Sequence, residues 1–179
     1  PGRVSSFADF RVFAAESWQG GSVLPAPASG KATLRAGGGE PGDLPSQAVV
    51  RRWTSPLAGV ISIEGAFSHN QGAVPAGDGV RGRIVSSRSG ELAAWSLNGS
   101  SAETRLSGIK VEKGESIDFV VDARSDVEND GFGWSPIIKS GDTVWDAKSD
   151  FRGPAPLPLD AWARYAQVLL ETSEFAFVD

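Results

Sequence analysis

The chain has 179 residues, 40% hydrophobic and 22% charged, with a net charge of −5 and no cysteine. That length and composition suit one globular domain with its own core and exclude disorder throughout. The acidic balance argues against nucleic acid or an anionic membrane as partner. The missing thiols remove disulfides, thiolate metal sites, cysteine nucleophiles and covalent haem attachment through Cys-x-x-Cys-His.

No apolar run is long enough for membrane insertion, and the opening Pro1-Gly2-Arg3 is not a signal peptide. A start at proline without methionine reads as a piece of a longer protein. Residues 1–45 carry little regular pattern. Phe7, Phe10, Val12 and Phe13 suit one strand, Trp18-Gln19-Gly20-Gly21 follows, and Pro/Ala/Gly-rich chain runs on to Gly42. The aromatic content is too high for a solvated tether, so an N-terminal arm wrapped on the domain is expected.

Strands are predicted over Ala48 to Trp53 and over Leu57 to Phe67, where Ile61, Ile63, Gly65 and Phe67 share a face. A loop from Ser68 to Gly79 carries His69, the single histidine. Val80 to Ser87 alternates Val80, Gly82 and Ile84 with Arg81, Arg83 and Val85, and Ser89-Gly90 turns it into Glu91 to Leu97. Asn98-Gly99 is a further turn signal. Leu106 to Val111 is expected to pair, through a Lys113-Gly114 turn, with Ile117 to Asp122. There Ile117, Phe119 and Val121 alternate with Asp118, Val120 and Asp122, the pattern of a strand with one face in the core. Trp134 to Lys139 and Thr143 to Trp145 complete an all-β, antiparallel sandwich or jelly roll over residues 46–150. Residues 151–179 form a helix and tail: Asp160 is a good N-cap, and Trp162, Tyr165, Ala166, Leu169 and Leu170 fall on one helical stripe.

Between two of these strands, Asp122, Asp126, Glu128, Asn129 and Asp130 crowd one loop. Asp126-x-Glu128-x-Asp130-Gly131 copies the start of an EF-hand, but the twelfth position is Ile137 rather than a bidentate glutamate, so that motif is rejected. An irregular calcium site held by Asp122, Asp126, Asn129 and Asp130 stays open beside the plain alternative, an Asx-rich turn.

Several segments together carry a family resemblance: Trp18-Gln19-Gly20-Gly21, Arg51-Arg52-Trp53-Thr54, Gly77 to Glu91, Ile117 to Asp122, Tyr165 to Leu170 and Glu174 to Asp179. In this order they resemble the C-terminal region of large secreted planctomycete proteins that bear cytochrome-c-like domains upstream. The resemblance implies a β-sandwich region of an extracytoplasmic multidomain protein whose haem sits elsewhere, with neighbouring domains of the parent chain as partners. The strand, acidic loop and tryptophan of Glu112 to Ile138 are also similar to β-sandwich modules appended to polysaccharide-degrading enzymes. That second resemblance implies, by analogy, a carbohydrate-binding module.

Six tryptophans bear on that reading. A sugar ring presents an apolar C–H face that an exposed indole can cover, but most aromatics fill cores. Trp53, Trp95 and Trp134 lie in predicted strands and are assigned to the core. Trp18 and Trp145 lie in or beside loops and are the candidate sugar platforms. Arg81, Arg83 and Arg88 suit an anionic polysaccharide, against the plain alternative of a polar outer face paired with acids. His69 is a further candidate contact or half of a pair with Asp78, against the plain alternative of a hydrogen-bonding loop histidine. No nucleophile elbow occurs, and no pair of carboxylates is placed for hydrolysis. The expectation is a non-catalytic module that binds polysaccharide, with a domain-docking module that binds no sugar as the rival.

Overall fold

The computed structural model describes residues 7–70, 77–125 and 128–155. Among the described residues fifteen strands follow one another: β1 Val12–Ala14, β2 Ser17–Gln19, β3 Thr33–Arg35, β4 Gly38–Glu40, β5 Val49–Thr54, β6 Gly59–Glu64, β7 Ala66–His69, β8 Val80–Ser86, β9 Gly90–Leu97, β10 Ser101–Glu103, β11 Leu106–Val111, β12 Ser116–Ala123, β13 Phe132–Trp134, β14 Ile137–Ser140 and β15 Thr143–Asp146. They pair antiparallel in three sheets, ordered β1-β2-β3-β4-β13-β7-β10, β11-β6-β14-β15 and β5-β12-β8-β9. The all-β, sandwich-like class expected from the alternating runs is the one observed. The expected C-terminal helix lies outside the described residues.

Two predicted strands are each broken into two, and the breaks make the sandwich. Leu57 to Phe67 divides at Gly65 into β6 and β7, which belong to different sheets. Trp134 to Lys139 divides at Ser135-Pro136 into β13 and β14, which join the same two sheets. Proline has no N–H for a ladder, so a strand cannot run straight through it. At the first corner the Thr104 N–H and Oγ1 both donate to the Gly65 carbonyl, at 2.7 and 3.0 Å.

The Lys113-Gly114 turn does not make the expected hairpin. β11 pairs with β6, whereas β12 pairs with β5 and β8, so the turn is an arch between sheets. Its geometry follows from Glu115, whose carboxylate accepts from Ser86 Oγ at 2.6 Å and from the Glu112 N–H at 3.0 Å. The Gly114 N–H donates to the Ser55 carbonyl, and the Ser55 N–H to the Glu115 carbonyl, each at 2.8 Å. The arch is thereby tied to the chain leaving β5.

Residues 12–40 are not a featureless arm. They form a four-stranded meander continuous with β13 through the β4 pairing. Little in the local sequence announces it. The β1–β2 turn uses Ala15 and Glu16 at φ +48° and +58°, where hairpins ordinarily carry Asn-Gly or Gly. β4 contains Gly38, chosen for proximity: a Cβ there would lie 1.9 Å from the Phe132 carbonyl oxygen.

The core is a layer of Phe67, Ile61, Ile63, Ile84, Ile117, Phe119, Val121 and Ile138 between the sheets. Trp134 sits in it as expected, 4.8 Å from the Phe67 ring and 5.4 Å from Phe119, with its indole N–H on Thr104 Oγ1 at 3.2 Å. β12 departs from the one-faced pattern, since its residues from Ile117 to Ala123 are all buried. Its outward acids are covered by arginines from both neighbours, and Val120 lines a hollow shared with the segment Phe7 to Phe10.

Candidate functional site

Trp53 and Trp145 lie on strands at the rims of two facing sheets, β5 and β15. An edge strand lacks a neighbour on one side, so its inward side chains are half covered. The two indoles meet there edge to face, 5.1 Å apart at 61°. Trp18, on β2, closes a third side. Its indole N–H donates to the Arg152 carbonyl at 2.7 Å, and its ring stands edge-on to Phe13 at 5.3 Å. The three tryptophans, with Phe151, Ile138 and Pro136, line one open cleft of about 340 Å³. The candidate platforms Trp18 and Trp145 are thus brought together. Trp53, assigned to the core, is half-buried and belongs to the same cleft. Nothing in Arg51-Arg52-Trp53 tells that its strand is an edge, so the pairing order was the missing signal.

The cleft's polar edge is built by Arg51, Arg152, Asp150 and the chain after β15. Arg51 Nη1 donates to the Ala147 carbonyl at 2.6 Å, and Nη2 to those of Arg35 and Ala36 at 2.6 and 3.2 Å. Burial pushes the guanidinium down to about 10, with Asp146 opposing. It remains a cation at neutral pH and clamps β5 to the β3–β4 turn and the chain past β15. Asp146 accepts from the Lys148 and Ser149 N–H groups at 2.8 and 3.3 Å. The Lys148 N–H is the foremost reason that its carboxyl is held below the ordinary range. The segment bearing Asp150, Phe151 and Arg152 is therefore pinned by local hydrogen bonds.

The remaining candidates lie elsewhere. His69 is only 5% exposed and spans two loops: its Nδ1 accepts from the Gly99 N–H at 2.8 Å, and its Nε2 lies 2.6 Å from the Asn129 carbonyl. A backbone N–H can only donate, so Nδ1 is the acceptor and Nε2 carries the proton. Both ring nitrogens are used, and His69 does not line the cleft: it braces a corner between two loops. Arg81 and Arg83 converge on Asp122, at 3.1 and 3.0 Å. Arg88 braces the arch, donating to the Lys110 carbonyl at 2.8 Å and facing Glu115 at 3.5 Å and Glu112 at 3.7 Å. Arg81 and Arg83 lie on the outward face of β8, paired with an acid of β12, and Arg88 lies in the turn after β8.

Of the candidate cation ligands, Asp122, Asn129 and Asp130 are among the described residues, and each is engaged with other groups of the chain. Asp122, 2% exposed, is turned into the two guanidiniums. Asn129 takes a left-handed φ of +57° and offers its carbonyl to His69. Asp130 is buried within the field of Lys31, whose ammonium also faces Asp43 at 3.2 Å and Glu40 at 3.5 Å. Burial works against that cation, but the acids outweigh it and raise its pKa. Asp126 is outside the described residues, and among the described residues no group of three metal-ligating side chains gathers. The chain matches no protein-family model, no curated protein and no solved structure, so the functional reading stands on the chemistry of the cleft.

Proposed function

We propose that this chain is a non-catalytic carbohydrate-binding module and that its site is the tryptophan cleft. One observation carries the reading: Trp18, Trp53 and Trp145, from three separate strands, converge on one open hollow whose edge holds Asp150 and Arg152. Indole faces suit the C–H face of a sugar ring, and polar groups beside them suit its hydroxyls. At about 340 Å³ the cleft is at the small end of ligand sites. The segment past β15 is held by its own hydrogen bonds, so little ordering entropy is lost on binding.

Affinity electrophoresis through gels containing soluble β-glucan, xylan, glucomannan, pectin or alginate tests this reading. At least one polysaccharide retards the protein, and Trp145→Ala weakens the retardation at least tenfold, the scale of about 1.4 kcal/mol for one anchoring aromatic. Unretarded migration in every gel, or retardation that Trp145→Ala and Trp53→Ala leave untouched, sinks the proposal. The first outcome leaves the domain-docking reading in its place.

A further inference from the structure

Three hollows adjoin along the edge and outer face of the β5-β12-β8-β9 sheet. Beside the cleft lies one of about 310 Å³, bordered by the segment Phe7 to Phe10, and beyond it one of about 510 Å³ toward the β8–β9 hairpin end of the sheet. Arg52 lines all three, and Phe7, Arg83 and Val120 line the second and third. The strand register explains the course. Arg52 is opposite Asp118, Asp118 opposite Val85, and Val85 opposite Glu91, so one row crosses all four strands. Three inter-strand spacings make that row about 14 Å long, beyond the reach of a single sugar ring.

We propose that the cleft continues over this row as a trough that seats an extended, uncharged glycan chain. This rests on the carbohydrate reading of the cleft and adds the kind of ligand. The chemistry of the row selects against charge. Arg52 holds Asp118 in a two-point contact at 2.7 and 2.8 Å, Arg83 is taken by Asp122, and Arg88 by Glu115. Asp122 is shared by Arg81 and Arg83, but Arg88 faces two carboxylates, Glu115 and Glu112, and Glu91 lies at the far end, so the acids offset the guanidiniums and no net positive field awaits a sulfate or uronate. A paired guanidinium and carboxylate still present spare N–H donors and oxygen lone pairs side by side. Neighbouring sugar hydroxyls, each donor and acceptor, match that pattern. Ser87, Ser89 and Ser116 add hydroxyls along the trough. The half-exposed Phe7 ring, stacked 4.3 Å from the Arg52 guanidinium, adds an apolar face.

Calorimetric titration of the whole chain decides it. The probes are β-1,4-linked gluco-, xylo- and manno-oligosaccharides from disaccharide to hexasaccharide, with oligogalacturonides as the anionic series. Affinity in at least one neutral series climbs about tenfold or more from disaccharide to hexasaccharide. Val85→Arg, which plugs the row, returns the hexasaccharide to the disaccharide value without changing the latter. Glu91→Ala, on an exposed position at the far end, removes part of the climb and serves where Val85→Arg does not fold. Affinity that is flat along every neutral series, tighter binding of the oligogalacturonides, or a climb untouched by both variants overturns the trough and leaves the cleft standing. No binding in any series, together with unretarded migration in every polysaccharide gel, overturns both.

Discussion

Replacing His69 separates a brace from a ligand contact. The ring is 5% exposed and satisfies two backbone groups, the Gly99 N–H at 2.8 Å and the Asn129 carbonyl at 2.6 Å. His69→Ala orphans both. An orphaned buried polar group costs about 1–3 kcal/mol, so two of them, with partial access of water to the gap, cost about 3 kcal/mol. In a chain of this length that lowers Tm by about 6–12 °C. The two bonds can be restored one at a time. In His69→Asn the side-chain oxygen takes the place of Nδ1 and accepts from Gly99. In His69→Gln the side-chain nitrogen takes the place of Nε2 and donates to Asn129. Each recovers about half of the loss. Thermal unfolding followed by near-ultraviolet circular dichroism gives the ranking, and amide exchange at Gly99 is slow in His69→Asn and fast in His69→Ala. Glycan affinity measured below the melting range stays at the parent value in all three. A His69→Ala protein that melts within about 1 °C of the parent refutes the reasoning, as does one that keeps its stability and loses glycan affinity.

Gly82 faces the Phe67 ring across the core, and a Cβ placed there lies 2.6 Å from it. Gly82→Ala therefore destabilises by about 1–3 kcal/mol in urea unfolding, and pairing it with Phe67→Leu costs less than the two single losses added. Burial raises the Glu115 carboxyl, but Ser86, the Glu112 N–H and Arg88 outweigh it and leave it depressed. A depressed carboxyl contributes stability above its unfolded pKa, about 4.3, and loses it as pH falls through the lower folded value. Glu115→Gln is accordingly less stable at pH 7 by about 1–3 kcal/mol, and the gap to the parent narrows on acidification below pH 4. Coinciding unfolding curves at pH 7 count against the arch being held by this carboxylate. Arg81→Ala leaves glycan retardation unchanged while Trp53→Ala abolishes it, since Trp53 lines the cleft and Arg81 is spent on Asp122. The reverse order moves the site to the arginines.

The hydrophobic alternation was enough to place the strand-rich class and most of the individual strands, because a period of two states locally which side chains are inward. It also placed Trp134 in the core and matched Gly82 to the inward face of β8. Sheet membership was not legible. Gly65 and Pro136 read as positions within continuous runs, yet each is where the chain passes from one sheet to another. β1 to β4 are three residues each, too short for a period to register, and one of their turns lacks the usual glycine or asparagine.

The candidate site divides the same way. Trp18 and Trp145 stood out from the sequence because they fall at the ends of patterned runs. Residue type and position in a strand are local properties, and the sequence determined those: an all-β chain, a buried Trp134, arginines on an outward face. Which side chains meet is a property of pairing order. Only the tertiary structure decided that His69 braces two loops, that Asp122 is turned to arginines, and that Trp53 joins Trp18 and Trp145. An edge strand and a central strand can share one alternating pattern, and they differ only in whether a neighbour comes to cover them.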